Sequence, residues 1–451
     1  MKSVALHNLG CKVNAYEMEV MQQKLQQKGY LVVPFDTRAD IYIINTCTVT
    51  NIADRKSRQM LHRVKKLNPE AIVVAVGCYV QTDAATVEKD EAIDIAIGNN
   101  KKSQVVEILE DYLSSRTRAK DEEAKEHHTS MNLIDIGHTL EYEQMQLEQS
   151  AEHTRAYIKV QDGCNQFCSY CAIPLARGRV RSRRMEDVVQ EVRLLADKGY
   201  QEIVVTGIHL SSYGVDFDGT SYQGSSHLLD LICALHEIPG IKRIRLGSLE
   251  PRIITEELAS KLAAMPKLCP HFHLSLQSGC DETLKRMNRH YTAGQYYEKV
   301  ELLRRYFEHP AITTDVIVGF PGETSEEFET TCRFLEKVNF FEMHVFKYSR
   351  RAGTRAADMP GQLTEREKAA RSDRLLAMEQ AQSRAFRAYY LDRELEVLLE
   401  EEKEIDGQSY WIGHTKEYVK VAVISDGMNH ANRIVCVKAY DFLKNEIIIA
   451  H

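Results

Sequence analysis

The order of strand-like and helix-like runs predicts an α/β protein in three parts. These are an N-terminal doubly wound parallel sheet, a central (β/α)6 partial barrel and a small all-β, OB-like module at the C-terminus. Three observations carry this. Residues 1–113 alternate β-type apolar runs with helical ones. Residues 153–391 resume that rhythm after a charged break. Residues 392–451 change to a period-two pattern. At 451 residues the chain exceeds one ordinary core, so two or three domains are expected.

In the first part the strand runs are SVALHNL, LVVPF, DIYIIN, AIVVAVG and AIDIAIG, with helices over Ala15–Lys28, Ile52–Leu67 and Lys101–Leu113. Residues 114–152 are charged and nearly free of apolar side chains at SSRTRAKDEEAKEHH. They read as a solvated linker with some order near MNLIDIGH. The second part shows six strands: AYIKVQDG, EIVVTGI, RIRLGSL, HFHLSLQ, TTDVIVG and EMHVFKYS. Helices fall near Met185–Lys198, His227–His236, Glu256–Ala264, Gly294–Tyr306 and Ser325–Lys337. Thr364–Leu391, rich in strong helix formers, reads as one long helix. The last part shows four strands: LEVLL, YVKVAVI, RIVCVKAY and EIIIA.

Composition is that of a globular chain, 43% apolar and 27% charged, and no apolar run is long enough to span a bilayer. The N-terminus reads as a strand rather than a signal peptide, so a cytoplasmic location without a membrane partner is expected. In that reducing compartment, eleven cysteines point to metal or catalysis rather than disulfides. The net charge of −7 gives no overall pull toward nucleic acid, so such a partner would need a local basic patch.

Cys164, Cys168 and Cys171 form a C-x3-C-x2-C cluster directly after the first barrel strand, where barrel enzymes place their chemistry. Three thiolates can anchor an iron–sulfur cluster and leave one iron open to a chelating cofactor. A zinc site completed by a histidine competes, but zinc ribbons usually carry two cysteine pairs. Cys11, Cys47 and Cys78 are far apart in sequence, yet each directly follows a strand of the first sheet. Parallel strand ends converge on one edge, so the three can meet there. The competing reading is three unrelated buried thiols. Cys233, Cys269, Cys280, Cys332 and Cys436 are scattered and receive no role, while His209, His271 and His273 lie near strand ends.

VQDGCNQFCSYCAIP, with Tyr170 before its last cysteine, resembles the radical-SAM superfamily. That resemblance implies a 4Fe–4S cluster that cleaves S-adenosylmethionine (SAM) to a 5′-deoxyadenosyl radical, in a barrel of radical-SAM type. It further implies SAM contacts at successive strand ends: Thr206 and Gly207, Glu250, Gln277, and Gly319. LGCKVNAYE, INTCTVT and AVGCYVQ resemble the N-terminal domain of the methylthiotransferase family. There the resemblance implies a second, auxiliary 4Fe–4S cluster on Cys11, Cys47 and Cys78, a C-terminal TRAM module, and no side-chain acid or base.

Within that family, Cys11-Lys12-Val13-Asn14 and NTCTVTNIADRKSRQ are most similar to the branch acting on threonylcarbamoyladenosine in tRNA. The implied partners are a tRNA anticodon loop, a reducing electron donor and a sulfur source. The other branches act on isopentenyladenosine in tRNA and on a ribosomal-protein aspartate, and a non-catalytic iron–sulfur scaffold is a further alternative. Two basic runs are candidates for RNA phosphates. One is Arg177, Arg179, Arg181, Arg183 and Arg184, and the other is Arg55, Lys56 and Arg58. Against RNA stands the last module, with twelve acidic and seven basic residues, a net of −5.

Overall fold

The computed structural model describes residues 2–119, 128–148, 154–218 and 226–451. Six parallel strands form the N-terminal sheet: β1 (Ser3–Asn8), β2 (Leu31–Val32), β3 (Ile41–Thr46), β4 (Ile72–Gly77), β5 (Ile95–Ile97) and β6 (Ser130–Asn132). Their order is β2-β1-β3-β4-β5-β6. β3 and β4 are buried along their whole length because helices cover both faces. Helices Lys12–Gln27 and Val105–Ala119 pack Tyr16, Met21, Leu25 and Leu109 on one face. Helix Asn51–Leu67 packs Leu61 and Val64 on the other. The chain leaves β1 and β3, which are neighbours, toward opposite faces, and this opens a crevice beyond their C-terminal ends.

Two expectations change here. The run LVVPF yields a strand of only two residues, because Pro34 has no N–H to extend the ladder. Part of the expected linker belongs to the sheet: β6 pairs with β5, and Met145 and Leu147 are buried in the same core. Residues 120–127 and 149–153 of that stretch lie outside the described residues.

The six expected barrel strands form as β7 (Ala156–Asp162), β9 (Glu202–Gly207), β10 (Arg243–Leu246), β11 (His271–His273), β12 (Ala311–Val318) and β13 (Glu342–Lys347), all parallel. A short strand, β8 (Arg181–Ser182), runs antiparallel on the β7 edge. Single bridges at Ile244–Leu268 and Leu249–Leu274 join β10 to β11. Helix Glu365–Ala388 follows, opened by a capping box between Thr364 and Glu367.

The C-terminal module is a closed barrel in the order β14-β15-β16-β18-β17. Its strands are β14 (Glu394–Ile405), β15 (Gln408–His414), β16 (Lys420–Ile424), β17 (Ile434–Lys444) and β18 (Ile447–Ala450). β15 is the strand the sequence pattern does not announce. It contains Gly413, where a Cβ would lie 2.2 Å from the Leu398 carbonyl oxygen. The module is tied to β10 by buried guanidinium groups: Arg243 donates to the His414 carbonyl (2.9 Å) and Arg245 to that of Lys416 (2.8 Å). No helix among the described residues is long and apolar enough to cross a membrane.

Candidate functional site

The loop after β7 is shaped to present three thiols. Gly163 takes a φ of +69°, and a Cβ there would lie 1.8 Å from the Arg179 carbonyl oxygen, so the turn into Cys164 requires glycine. The Cys164 N–H donates to the Gly178 carbonyl (3.1 Å) and the Cys171 N–H to that of Cys168 (3.0 Å). Ser169 anchors the loop's far side, its N–H donating to the Met287 carbonyl (3.0 Å) and its hydroxyl to that of Arg286 (2.8 Å). Arg289 donates to Cys168 Sγ at 3.1 Å and places a half-buried cation beside the sulfur, where it would balance a thiolate's charge. Burial pushes the Cys164 thiol up to about 11, and burial with neighbouring Cys168 pushes Cys171 higher still. As free thiols these two stay protonated at neutral pH, so a bound metal must displace their protons.

These cysteines line a cavity of ≈ 330 Å³ together with Glu250, Gln277, Arg289, Asp315 and His209. Its outer wall comes from both large domains: Thr48, Val49 and Thr50, just after β3, face Phe346 and Lys347 at the end of β13 and Ser349 beyond it. Arg351 pins these walls together, donating to Thr48 Oγ1 and Asn51 Oδ1 (both 2.6 Å) and pairing with Asp54 (2.7 Å).

Thr48 follows Cys47 directly, so this wall leads to the second set of cysteines. Cys11, Cys47 and Cys78 follow β1, β3 and β4, adjacent strands of one sheet. Burial pushes the Cys47 thiol up to about 11, with Cys78 and Cys11 adding to the rise. Asparagines stitch the strand ends. Asn14 Nδ2 donates to the Thr46 carbonyl (3.1 Å), Asn45 Nδ2 to the Asn14 carbonyl (2.9 Å), and Asn99 Nδ2 to Cys78 Sγ (3.5 Å). Asn99 also donates to the Ala176 carbonyl (2.7 Å), which joins this site to the segment after Cys171. Cys164, Cys168 and Cys171 line one cavity, and Cys78 and Cys11 lie near enough to Cys47 to act on its thiol, so each set offers three soft donors of the kind that hold an iron–sulfur cluster.

Of the residues expected to touch SAM, Glu250 and Gln277 line the cavity. Glu250 is buried and paired with Arg252 (2.7 Å). Gln277 takes a φ of +74° while its backbone bridges β12. Thr206, Gly207 and Gly319 are not among the cavity's lining residues. At the end of β9 the cavity is lined by Ile208 and His209 instead. A Cβ on Gly207 would meet the Gln161 side chain, and one on Gly319 would strike Lys368 at 2.2 Å. Of the histidines, His209 is kept neutral, its pKa lowered to about 3 by burial and then by Arg289 and Arg252. His271 stacks near Tyr418 of the C-terminal module (5.1 Å), away from the cavity. His273 meets Asp315 (3.3 Å) and stacks on His344, three polar groups on three consecutive barrel strands.

The arginine run after the triplet is corrected by the structure. Arg177, Arg181 and Arg183 are fully or almost fully buried, and only Arg179 and Arg184 are exposed. Arg177 pairs with Glu17 (2.9 Å) and Asp162 (3.0 Å) and donates to Asn14 Oδ1 (2.6 Å), while Arg183 pairs with Glu191. Lys159 and Lys102 complete the same enclosed network around Glu17. These groups lock the barrel to the N-terminal domain and are not available to phosphate. Asn14, Asn99 and Arg289 were not singled out from the sequence. Asn14 lies three residues after Cys11 in one helical turn, and that spacing is the only hint it offers.

A barrel bearing a C-x3-C-x2-C loop at its strand ends, joined to a sheet that gathers three more cysteines, defines an iron–sulfur radical enzyme with an auxiliary domain. The comparisons agree. Residues 158–335 match the model of the radical SAM superfamily, and residues 3–98 match one described as uncharacterized protein family UPF0004. The chain is 38% identical over 97% of its length to the threonylcarbamoyladenosine tRNA methylthiotransferase MtaB of Bacillus subtilis, covering 94% of that protein. It is 39% identical over 90% of its length to the MtaB of Aquifex aeolicus, covering 95% of it. With the tRNA-2-methylthio-N(6)-dimethylallyladenosine synthase of Acetivibrio thermocellus it shares 34% identity over 88% of its length and 81% of that protein. A solved radical SAM methyltransferase, TsrM of Kitasatospora setae, shares the fold with a TM-score of 0.55 at 16% identity, covering 79% of this chain and 77% of its own. The chain belongs to the radical SAM methylthiotransferases and, within that family, is MtaB-like.

Proposed function

We propose that this chain transfers a methylthio group to ring carbon C2 of N6-threonylcarbamoyladenosine, just 3′ of the anticodon in tRNA, using two 4Fe–4S clusters and two equivalents of SAM. The observation that carries the reading is the shared cavity wall. The segment after Cys47 lines the same cavity as Cys164, Cys168 and Cys171, so a base held there touches both the radical-SAM loop and the domain that carries the second cysteine set. The substrate rests on the relatives: the MtaB proteins above match at 38–39% identity, the dimethylallyladenosine synthase at 34%.

When bound, the groups on Cys164, Cys168 and Cys171 supply reductive SAM cleavage, and those on Cys11, Cys47 and Cys78 supply a bound sulfur. The chain's own residues position and insulate. Arg289 balances charge at Cys168. Glu250 and Gln277 offer polar contacts to the amino-acid end of SAM. Burial and the nearby arginines lower the His209 pKa to about 3, which makes its imidazole a weak base. No base is needed, because an unactivated C–H cannot be deprotonated at neutral pH and is opened by a radical instead.

The test offers purified, anaerobically reconstituted enzyme three substrates side by side: threonylcarbamoyl tRNA, isopentenyl tRNA and the ribosomal protein. Mass spectrometry should find methylthio product in the first alone. Turnover of the ribosomal protein alone would overturn the reading. Replacing Cys164, Cys168 and Cys171 together by Ala should leave about half of an iron content near eight per chain. Full retention would reject two clusters.

A further inference from the structure

The buried arginine run leaves the question of what holds the nucleic acid, and the mouth of the cavity answers it. Val49 and Ile52 are 56% and 54% exposed on one lip, and Phe346 is 45% exposed on the other. Val49 and Phe346 also line the cavity itself. Exposed apolar side chains gathered at the rim of a cavity mark a contact surface rather than scattered surface residues. Basic side chains stand beside them. Arg55 and Lys56 are exposed on the first turns of helix Asn51–Leu67, and Lys347 and Arg350 are exposed just beyond Phe346. None of these four makes an ion pair among the described residues, whereas the nearby acid Asp54 is taken by Arg351. The lip therefore sets four exposed cations beside an aromatic and aliphatic platform. Single-stranded nucleic-acid sites combine these two elements, a basic track for phosphates and a ring on which a base stacks.

We infer that this lip, the start of helix Asn51–Leu67 together with Phe346–Arg350, is the docking surface for a single-stranded RNA loop. Phe346 is its stacking platform, and Arg55, Lys56, Lys347 and Arg350 bind its phosphates. The inference rests on the tRNA reading above and deepens it by assigning the face. The lip also has the right relation to the chemistry. A base unstacked from a loop and laid against Phe346 enters the cavity with Cys164, Cys168 and Cys171 behind it.

The experiment measures binding of a synthetic RNA hairpin with an adenosine in its loop to the full-length reconstituted protein by fluorescence anisotropy, across a salt series. The double variant Arg55→Glu/Lys56→Glu should lose at least about tenfold in affinity, and its log–log salt slope should fall by about 0.7 per lost phosphate contact. Phe346→Ala should cost roughly five- to one-hundred-fold with the slope unchanged, because stacking carries no counterions. Arg184→Glu, the exposed end of the other run, should stay within about twofold. Iron content and melting temperature identify any variant that has misfolded, and Lys347→Glu/Arg350→Glu then repeats the test from the opposite lip. If the wild type binds the hairpin and both charge-reversed pairs bind as well with the same slope, the docking surface is wrong. If the wild type binds no RNA at all, the tRNA reading itself fails.

Discussion

Two basic segments flank the two cysteine sets, and the fold treats them in opposite ways. In residues 177–184, Arg177, Arg181 and Arg183 are enclosed between the N-terminal domain and the barrel. On helix Asn51–Leu67, Arg55, Lys56, Arg63 and Lys66 face outward. In sequence both are short runs of like charge after a cysteine. The difference is set by carboxylates far along the chain. Glu17, 160 positions from Arg177, lies on the helix that the sheet presses against β7, and Asp162 closes the network from the barrel side. Helix Asn51–Leu67 meets no enclosed network on its outer face: Arg63 pairs only with the exposed Asp36 (3.1 Å), and Arg55, Lys56 and Lys66 make no ion pair among the described residues. A run of arginines is thus a binding surface only where the opposite charge is left for a ligand to bring.

The sharpest way to break this comparison is to remove the carboxylate at the centre of the buried network. Glu17→Gln leaves Lys102, Lys159 and Arg177 with only Asp162 to balance them. Breaking a buried pair from one side costs about 3–5 kcal/mol, because the remaining charge is stranded. The expected result is a large fall in the thermal midpoint and loss of the contact between the domains, read by limited proteolysis around residues 114–152. A change under about 1 kcal/mol would mean that the network is not enclosed. The pH dependence follows. Burial alone would raise the Glu17 carboxyl, but Arg177, Lys102 and Lys159 outweigh it and hold it well below the usual range. Its contribution is therefore complete above about pH 4.5 and is lost as the pH falls through the lower folded value. Glu17→Gln should flatten that acid limb.

A smaller effect contrasts neighbours. Arg183 is buried against Glu191, which also accepts from Tyr16 (3.1 Å) and from the Leu147 N–H (2.7 Å), while Arg184 beside it is exposed. Arg183→Met should cost about 3 kcal/mol, and Arg184→Met should stay within about 0.5 kcal/mol. Equal losses in denaturant midpoint would erase the distinction between buried and exposed members of one run.

Most of the architecture was legible before the structure, because strand and helix periodicities are local. The six barrel strands follow from runs of Val and Ile, and the places of Cys11, Cys47 and Cys78 after neighbouring strands follow from the same pattern. What was not legible depended on distant partners or on a single residue of register. The fate of Arg177 depended on Glu17. At β9 the cavity is lined by Ile208 and His209 and not by Thr206 and Gly207, a difference of register that no period-two pattern resolves. β15 is not announced because QSYWIGH is partly polar and carries the glycine needed for close strand approach.

The smallest effect expected is that of salt on stability, and it tests the same contrast without any mutation. Raising ionic strength shortens the Debye length from about 10 Å at 0.1 M to about 3 Å at 1 M, but only charges with water between them feel it. The Glu17–Arg177–Asp162 network is enclosed, with Glu17 and Arg177 at 1% and 0% exposure, so counterions cannot enter it. The exposed cations of helix Asn51–Leu67 are accessible, and their mutual repulsion is relieved by salt. The two contributions together leave a slight rise in thermal midpoint, about 1–2 °C between 0.1 and 1 M sodium chloride, since surface terms rarely exceed about 0.5 kcal/mol. RNA affinity over the same range should fall steeply. A large fall in midpoint with salt would show that the domain-locking charges are reached by solvent. The two basic segments would then differ in degree and not in kind.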